Sequence, residues 1–136
     1  MRRLVSALLL LLVPVVAGCG SDPVDKANAG AVRAVVERFA SSSDASACDL
    51  LTADALSNVY GGFSNNVGRA KANCRKRSAK FRGAPIKITK VIVINNMTAR
   101  VAALSPDGKF TYGVTVRRPA KRWLIDQITV HKVRPE

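Results

Sequence analysis

The chain has 136 residues, of which 22 are lysine or arginine and only 9 are aspartate or glutamate, so its formal net charge is +13. This length suits one domain with a single core and is too short for two ordinary domains. One histidine and three cysteines give no recognisable zinc-ligand spacing, and we expect neither a metal nor another cofactor. The positive charge favours contact with polyanions. The alternative is that the basic residues are scattered over the surface and only keep the protein soluble.

The first eighteen residues have the layout of an export signal. Arg2 and Arg3 give a positively charged start. The apolar run from Leu4 to Val16 follows, and it is too short to span a bilayer in the usual way. We therefore predict that this segment directs export and is not part of the folded domain.

The next stretch, Val16-Ala17-Gly18-Cys19, resembles the lipobox of bacterial lipoproteins, in which small residues precede a cysteine that is lipidated and becomes the new N-terminus. The resemblance implies that residues 1–18 are removed and that lipid on Cys19 holds the protein at the extracytoplasmic face of the cell membrane. Residues 19–22 are then a lipidated cysteine and a short tether. Loss of two arginines lowers the formal charge from +13 to +11.

Because the lipobox assigns Cys19 to lipid, Cys48 and Cys74 are the only internal cysteine pair. They should form a disulfide in an oxidising compartment. Closing a loop of that length stabilises the fold by roughly 3 to 4 kcal/mol. A catalytic thiol has less support, because no second histidine exists to serve as its base.

Helices are predicted for residues 23–82. Asp22-Pro23 is a good helix start. The helix then runs to about Ala40, with one apolar stripe of Val32, Val35, Val36 and Phe39. A short second helix, capped by Asp44 or Ser46, carries Cys48.

Two further helices are predicted before the composition changes at Gly83. Thr52 caps a helix from Ala53 to Tyr60, which Gly61-Gly62 ends. A helix from Asn66 places Cys74 on its inner face. A bridge to the earlier cysteine would clamp this helix to its neighbours.

The helix that begins at Asn66 also carries the densest charge cluster in the chain, which is Arg69, Lys71, Arg75, Lys76 and Lys80. A second basic cluster, Arg117, Arg118, Lys121 and Arg122, lies at a predicted hairpin tip. Both clusters are either solvated surface or contact sites for an anionic partner. For an exported protein the available polyanions are anionic lipids and wall polymers. Nucleic acid is not expected, because the chain has an export signal and no nucleic-acid-binding motif.

A four-stranded β-meander is predicted for residues 86–133. In its first strand Ile86, Ile88, Ile92 and Ile94 alternate on one face, and Val91 and Val93 make the second half apolar on both faces, so we expect that end to be covered twice. In its last strand Trp123 and Ile125 share one face, whereas Ile128 and Val130 fall on the other. A bulge near Asp126-Gln127 would bring both pairs to one core.

Helices followed by a meander that ends in Trp123-Leu124-Ile125-Asp126 are similar in order to the nuclear transport factor 2-like superfamily. That superfamily includes ketosteroid isomerases and many small exported lipoproteins of actinobacteria. The similarity covers roughly Pro23 to Val133. It implies an α+β cone, in which a long helix lies across a curved sheet and leaves an apolar pocket, and residues 23–136 form this single domain.

Two hypotheses about function follow from this resemblance together with the export signal and the positive charge. The favoured one is a non-enzymatic domain that binds a small apolar ligand or an anionic envelope partner. The alternative is a small isomerase or hydrolase with Asp126 as base and Tyr60 or Tyr112 as oxyanion donor. None of these residues matches a catalytic position of the family, and a locally bonded carboxylate and core tyrosines are the simpler interpretation. The pattern does not predict the oligomeric state.

Overall fold

The computed structural model describes residues 23–134, which divide into a helical first half and a sheet-forming second half. The helices are α1 (Pro23–Ser41), a 3₁₀ helix (Ala45–Leu50), α2 (Ala53–Tyr60) and α3 (Val67–Ser78). The strands are β1 (Lys87–Asn95), β2 (Thr98–Leu104), β3 (Phe110–Arg117) and β4 (Leu124–Lys132). They pair in chain order as one antiparallel sheet, so the fold is α+β with the predicted order of elements.

Three helix starts depend on capping side chains. Asp44 Oδ1 accepts the N–H of Ser46 at 2.8 Å, and Thr52 Oγ1 accepts the N–H of Ala55 at 3.1 Å. Asn66 Oδ1 caps α3 in the same way. Each cap satisfies an amide that the helix itself leaves without an acceptor, which is why these starts were predictable from the sequence.

The main core lies between α1 and the inner face of the sheet. Val32 and Val36 of α1 are almost fully buried, as the apolar stripe predicts. Their partners in the core are Ala99 and Val101 of β2, Val114 and Val116 of β3, and Trp123 and Ile125 near the start of β4. One helix therefore packs through a single side against the inner face of the sheet, β1 included.

Strand β1 contains a bulge that its sequence pattern does not reveal. Ile88 pairs with Ala103 and Lys90 with Ala102, which leaves Thr89 as an extra residue. A one-residue insertion moves every following side chain to the opposite face. Val91 and Val93 therefore join the main core.

The predicted face of β1 was wrong in its second half. Ile86 and Ile88 pack against the main core as expected, but Ile92 and Ile94 are 44% and 51% exposed on the outer face of the sheet. The bulge reverses the orientation of Ile92, and a second register shift, between Val93 and Asn95, leaves Ile94 without a partner across the ladder. Within residues 23–134, only the inner face of this end of the sheet is covered, so the expectation of coverage on both faces was wrong.

The bulge predicted in β4 is confirmed. The register between β3 and β4 shifts by one residue at Asp126, which has no partner across the ladder. On either side of it, Ile125 and Ile128 lie opposite Val116 and Val114, two buried residues. The extra residue thus brings both isoleucines to the inner face. The expectation that the second pair joins the core was wrong, because Ile128 and Val130 are 39% and 54% exposed and lie outside the main core.

A second, smaller core joins the helices to one another. It contains Cys48 of the 3₁₀ helix, Leu56 of α2, and Ala70 and Cys74 of α3. A disulfide joins the two cysteines, with their Cα atoms 6.0 Å apart, in agreement with the expected pairing. Phe81, beyond the end of α3, packs against this core from outside the helix.

Candidate functional site

A cleft of about 950 Å³ lies between α2 and β4. Its apolar wall consists of Phe39, Leu51, Val59, Val67, Ile125 and Ile128. Val59 is 62% exposed, Val67 40% and Ile128 39%, so these three side chains present apolar surface that nothing in residues 23–134 covers. The α2–β4 cleft is therefore the candidate site.

Hydrogen bonds at both ends of α2 hold this helix in place and so define the cleft. At its first turn, Thr52 donates its N–H to the carbonyl of Ile125 at 2.8 Å and its hydroxyl to Asp126 Oδ1 at 2.9 Å. At its last turn, the carbonyl of Tyr60 accepts a 2.9 Å hydrogen bond from Asn73 Nδ2 on α3. The helix is thus fixed at both ends, to the sheet and to α3.

The candidate base, Asp126, lines this cleft, but both of its carboxylate oxygens are engaged. Oδ1 accepts the Thr52 hydroxyl, and Oδ2 lies 3.1 Å from Nε of Arg117. Its side chain is only 13% exposed. The carboxylate therefore acts as a clamp between α2, β3 and β4.

The two candidate tyrosines are in different places. Tyr60 lines the same cleft as Asp126, and the guanidinium of Arg77 lies 6.0 Å from the centre of its ring. Tyr112 packs against the main core from β3 and is not a lining residue of the cleft. The structure thus brings Asp126 and Tyr60, but not Tyr112, to one site.

The charges in the cleft differ from those of the whole chain. Its charged lining residues are Asp54, Asp126 and Arg117, an excess of one negative charge. The chain as a whole has an excess of thirteen positive charges. The cleft is therefore better suited to a neutral or cationic ligand than to an anionic one.

The two basic clusters predicted from the sequence meet at Asp49. Lys71 Nζ lies 2.6 Å and Arg75 Nη2 3.6 Å from its Oδ1, and Arg122 Nη2 donates to its backbone carbonyl at 3.2 Å. The hydrogen bond from Lys71 holds the pKa of Asp49 below its ordinary value; burial opposes this effect, and the charges of Lys71 and Arg75 add to it. Part of each cluster is therefore engaged within the fold.

The other basic candidates fall into two groups. Arg117 is bound to Asp126, while Arg118 donates from Nη1 to Asn28 Oδ1 at 3.3 Å and stacks 5.6 Å from the centre of the Trp123 ring. The remaining four have no acidic partner within residues 23–134 and are exposed: Arg69, Lys76, Lys80 and Lys121. These four are available to an external anion.

Sequence reasoning missed the contact between Asn28 and Arg118. Asn28 is only 7% exposed and lies four residues before Val32, on the apolar stripe of α1. A polar residue on a buried stripe is a sign of a side chain that bonds within the fold. The sequence does not indicate that its partner would come from a turn 90 residues away.

Comparison with known proteins gives no match among protein-family models, curated proteins or solved structures. Within residues 23–134, no three histidine, cysteine, aspartate or glutamate side chains are grouped to hold a metal ion. The same part of the chain has no helix of the length and apolar composition needed to cross a membrane. Cys19, the predicted lipidation site, lies outside the described residues.

Proposed function

We propose that the protein is an exported lipoprotein, anchored through Cys19, whose domain binds a small and largely apolar molecule in the α2–β4 cleft. The exposure of Val59, Val67 and Ile128 in that cleft carries this proposal. Small-molecule sites are concave, mostly apolar and roughly 300–1,000 Å³ in volume, with a few polar groups that orient the ligand. The cleft falls in this range of volume, and about half of its lining is apolar.

The cellular location rests on sequence, and the fold is compatible with it. The lipobox-like stretch ends at Cys19, and α1 begins only four residues later, at Pro23. Helices followed by an antiparallel meander also support membership in the nuclear transport factor 2-like superfamily, in which such a cone has an apolar pocket. Within the proposal, the α2–β4 cleft is that pocket.

The charges of the lining narrow the ligand class. Beside its apolar wall, the cleft lining includes Asp54, whose carboxylate forms no salt bridge within residues 23–134. An anionic ligand would meet two aspartates and one arginine that is already paired. The favoured ligand is therefore uncharged or carries a positive group.

A charge placed in the cleft tests the proposal. The full protein is purified natively, its bound small molecules are identified by mass spectrometry, and its affinity for a neutral apolar dye such as Nile red is measured. Val59→Lys should weaken dye binding about tenfold or more, because a charged ammonium then has to be buried beside the ligand. Ile94→Lys, on the outer face of the sheet, is the matched control and should leave binding within about twofold.

Two results would reject the cleft as the binding site. The first is dye binding that is equally weakened by Val59→Lys and Ile94→Lys. The second is the absence of both a co-purified molecule and dye binding in the unsubstituted protein.

A catalytic function has one supporting observation, which is that Asp126 and Tyr60 line the same cleft. To act as a base, Asp126 would have to accept a proton while its oxygens remain bonded to Thr52 and Arg117. Asp126→Asn decides the role of this residue in assays of double-bond isomerisation and ester hydrolysis. An activity lost in that variant while the fold persists would favour catalysis, and an activity that is retained would exclude Asp126 as the base.

A further inference from the structure

We infer that one end of the sheet docks onto an anionic lipid bilayer. This docking face consists of Met97, after the β1–β2 turn, and Arg118 to Arg122, the turn between β3 and β4. The inference rests on the lipid anchor proposed above and adds the surface by which the anchored domain meets the membrane. Met97, Arg118 and Pro119 line a depression together with Asp54, Arg117 and Asp126, so the docking face adjoins the α2–β4 cleft.

The position of α1 places the docking face near the anchor. Cys19 lies four residues before Pro23, a separation of at most about 14 Å in an extended chain. Asn28, in the second turn of α1, contacts Arg118, and the N–H of Arg118 donates to the carbonyl of Met97 at 2.9 Å. The start of α1 therefore lies against the turns that form this face, and a lipid on Cys19 holds them close to the bilayer.

The docking face has the chemistry of a membrane-surface contact. Met97 is 57% exposed, and Pro119 and Ala120 are exposed beside it. Three basic residues flank this apolar tip and form no salt bridge within residues 23–134, namely Arg118, Lys121 and Arg122. The guanidinium groups of Arg118 and Arg122 each donate a hydrogen bond within the fold but keep their positive charge, so Lys121 is the residue with a fully available charge. Apolar groups entering the head-group region beside basic side chains are the combination that binds anionic membranes. Each basic side chain near such a surface strengthens association about fivefold.

Two independent features set this end of the molecule apart. Ala120 and Lys121 have φ angles of 48° and 65°, a left-handed conformation that costs free energy for residues other than glycine and that is concentrated at functional sites. Asn28 Nδ2 and Trp123 Nε1 are buried donors with no acceptor in the described chain, and Arg118 contacts both residues.

A second basic surface provides a matched control. Lys76, on the outward side of α3, is exposed and has no acidic partner among the described residues. Phe63, in the loop before α3, is the most exposed large apolar residue of that region. No contact ties either residue to the start of α1. Phe63→Ser with Lys76→Glu therefore makes the same chemical change as Met97→Ser with Lys121→Glu, at a different place.

The experiment uses the full lipidated protein in vesicles of phosphatidylglycerol or phosphatidylcholine that contain brominated lipid. Trp123 is the only tryptophan, and it lies under Arg118 at the docking face, so quenching of its fluorescence reports docking. Flotation of the vesicles reports the anchor separately. Urea unfolding of both double variants checks that the fold is intact, and all four side chains lack any described hydrogen bond or ion pair.

We expect flotation with both lipids, but stronger quenching on phosphatidylglycerol that weakens as salt is added. The Met97→Ser, Lys121→Glu protein should lose at least about fivefold in the ratio of docked to undocked protein, whereas the control variant should behave as the parent. Equal quenching on the two lipids, or loss in the control variant alone, would overturn the docking face while leaving the anchor intact.

The remaining outcomes separate the anchor from the surface. Flotation with phosphatidylglycerol alone, lost in the docking-face variant, would support the face and reject the anchor. Flotation with neither lipid would reject both. If soluble poly(glycerol phosphate) binds and the docking-face variant weakens that binding as much as vesicle docking, the partner is a wall polymer and the bilayer proposal is wrong.

Discussion

Thr52 donates its hydroxyl to Oδ1 of Asp126 over 2.9 Å, across 74 positions of the chain. The same hydroxyl oxygen accepts the N–H of Ala55 and so caps α2. One side chain thereby starts a helix and joins it to the bulge of β4. Because this contact forms one end of the α2–β4 cleft, the stability of the fold and the shape of the candidate site depend on it together.

The first prediction concerns the Asp126 clamp. Asp126→Ala should lower the free energy of unfolding by about 2 kcal/mol, because Thr52 loses its acceptor and Arg117 its carboxylate at a largely buried position. Asp126→Asn should cost less, since an amide oxygen still accepts from Thr52. Urea unfolding of the three proteins measures both differences.

Glu37 provides the control for the clamp. Its pair with Arg33 is exposed at 3.8 Å, so Glu37→Ala should change the free energy of unfolding by less than about 0.5 kcal/mol. Equal and small effects at Glu37 and Asp126 would show that the carboxylate of Asp126 does not hold α2 to the sheet.

The second prediction concerns the disulfide. Removing it by Cys48→Ala with Cys74→Ala should lower the free energy of unfolding by about 3 kcal/mol, mostly because the unfolded chain regains the freedom of a 26-residue loop. Hydrogen exchange should rise more in α3 than in α1, since α3 packs on the bridge and α1 packs on the sheet. A uniform rise in both helices would contradict this local role.

Local signals in the sequence predicted much of the fold. Caps such as Thr52 and Asn66 act within three residues, so the sequence alone shows where α2 and α3 begin. The β4 bulge was also predictable, because apolar residues change phase there from Ile125 to Ile128. In both cases the physical cause and the visible pattern lie in the same short segment.

Other features depend on contacts that no short segment shows. After Thr89 both phases of β1 are apolar, so Ile92 and Val93 were equally acceptable on the inner face, and only the pairing with β2 decides between them. The engagement of Lys71 and Arg122 around Asp49 joins segments far apart in the chain. For the same reason, the cleft lining could not be assembled before the packing of α2 was known.

The third prediction is a pH dependence that comes from Asp49. Its pKa is lower in the folded protein than its ordinary value near 3.8, because Lys71 hydrogen-bonds to the charged carboxylate. The contribution to stability is therefore present above about pH 4 and is lost as the pH falls through the folded pKa. Asp49 is about half exposed, so the effect is at most about 1 kcal/mol.

The free energy of unfolding is measured with urea at a series of pH values from neutral to acid. Between about pH 5 and the acid end of the series, Asp49→Asn should lose less of this free energy than the parent, because it lacks the carboxylate that becomes protonated. The parent and the variant should differ most near neutral pH and converge in acid. A difference that stays constant with pH would mean that the Asp49 carboxylate acts through its shape and not through its charge.

The fourth prediction concerns the left-handed turn between β3 and β4. A side chain in this conformation costs about 1 kcal/mol, which glycine avoids, although glycine also makes the unfolded chain more flexible. With φ at 48°, Ala120→Gly should therefore raise the free energy of unfolding by about 0.5 kcal/mol. Ala102→Gly, an exposed position inside β2, should lower it by about 0.5 to 1 kcal/mol, because extended backbone gives glycine no such relief. Thermal and urea unfolding measure both changes, and destabilisation of similar size at the two positions would show that the turn is not strained.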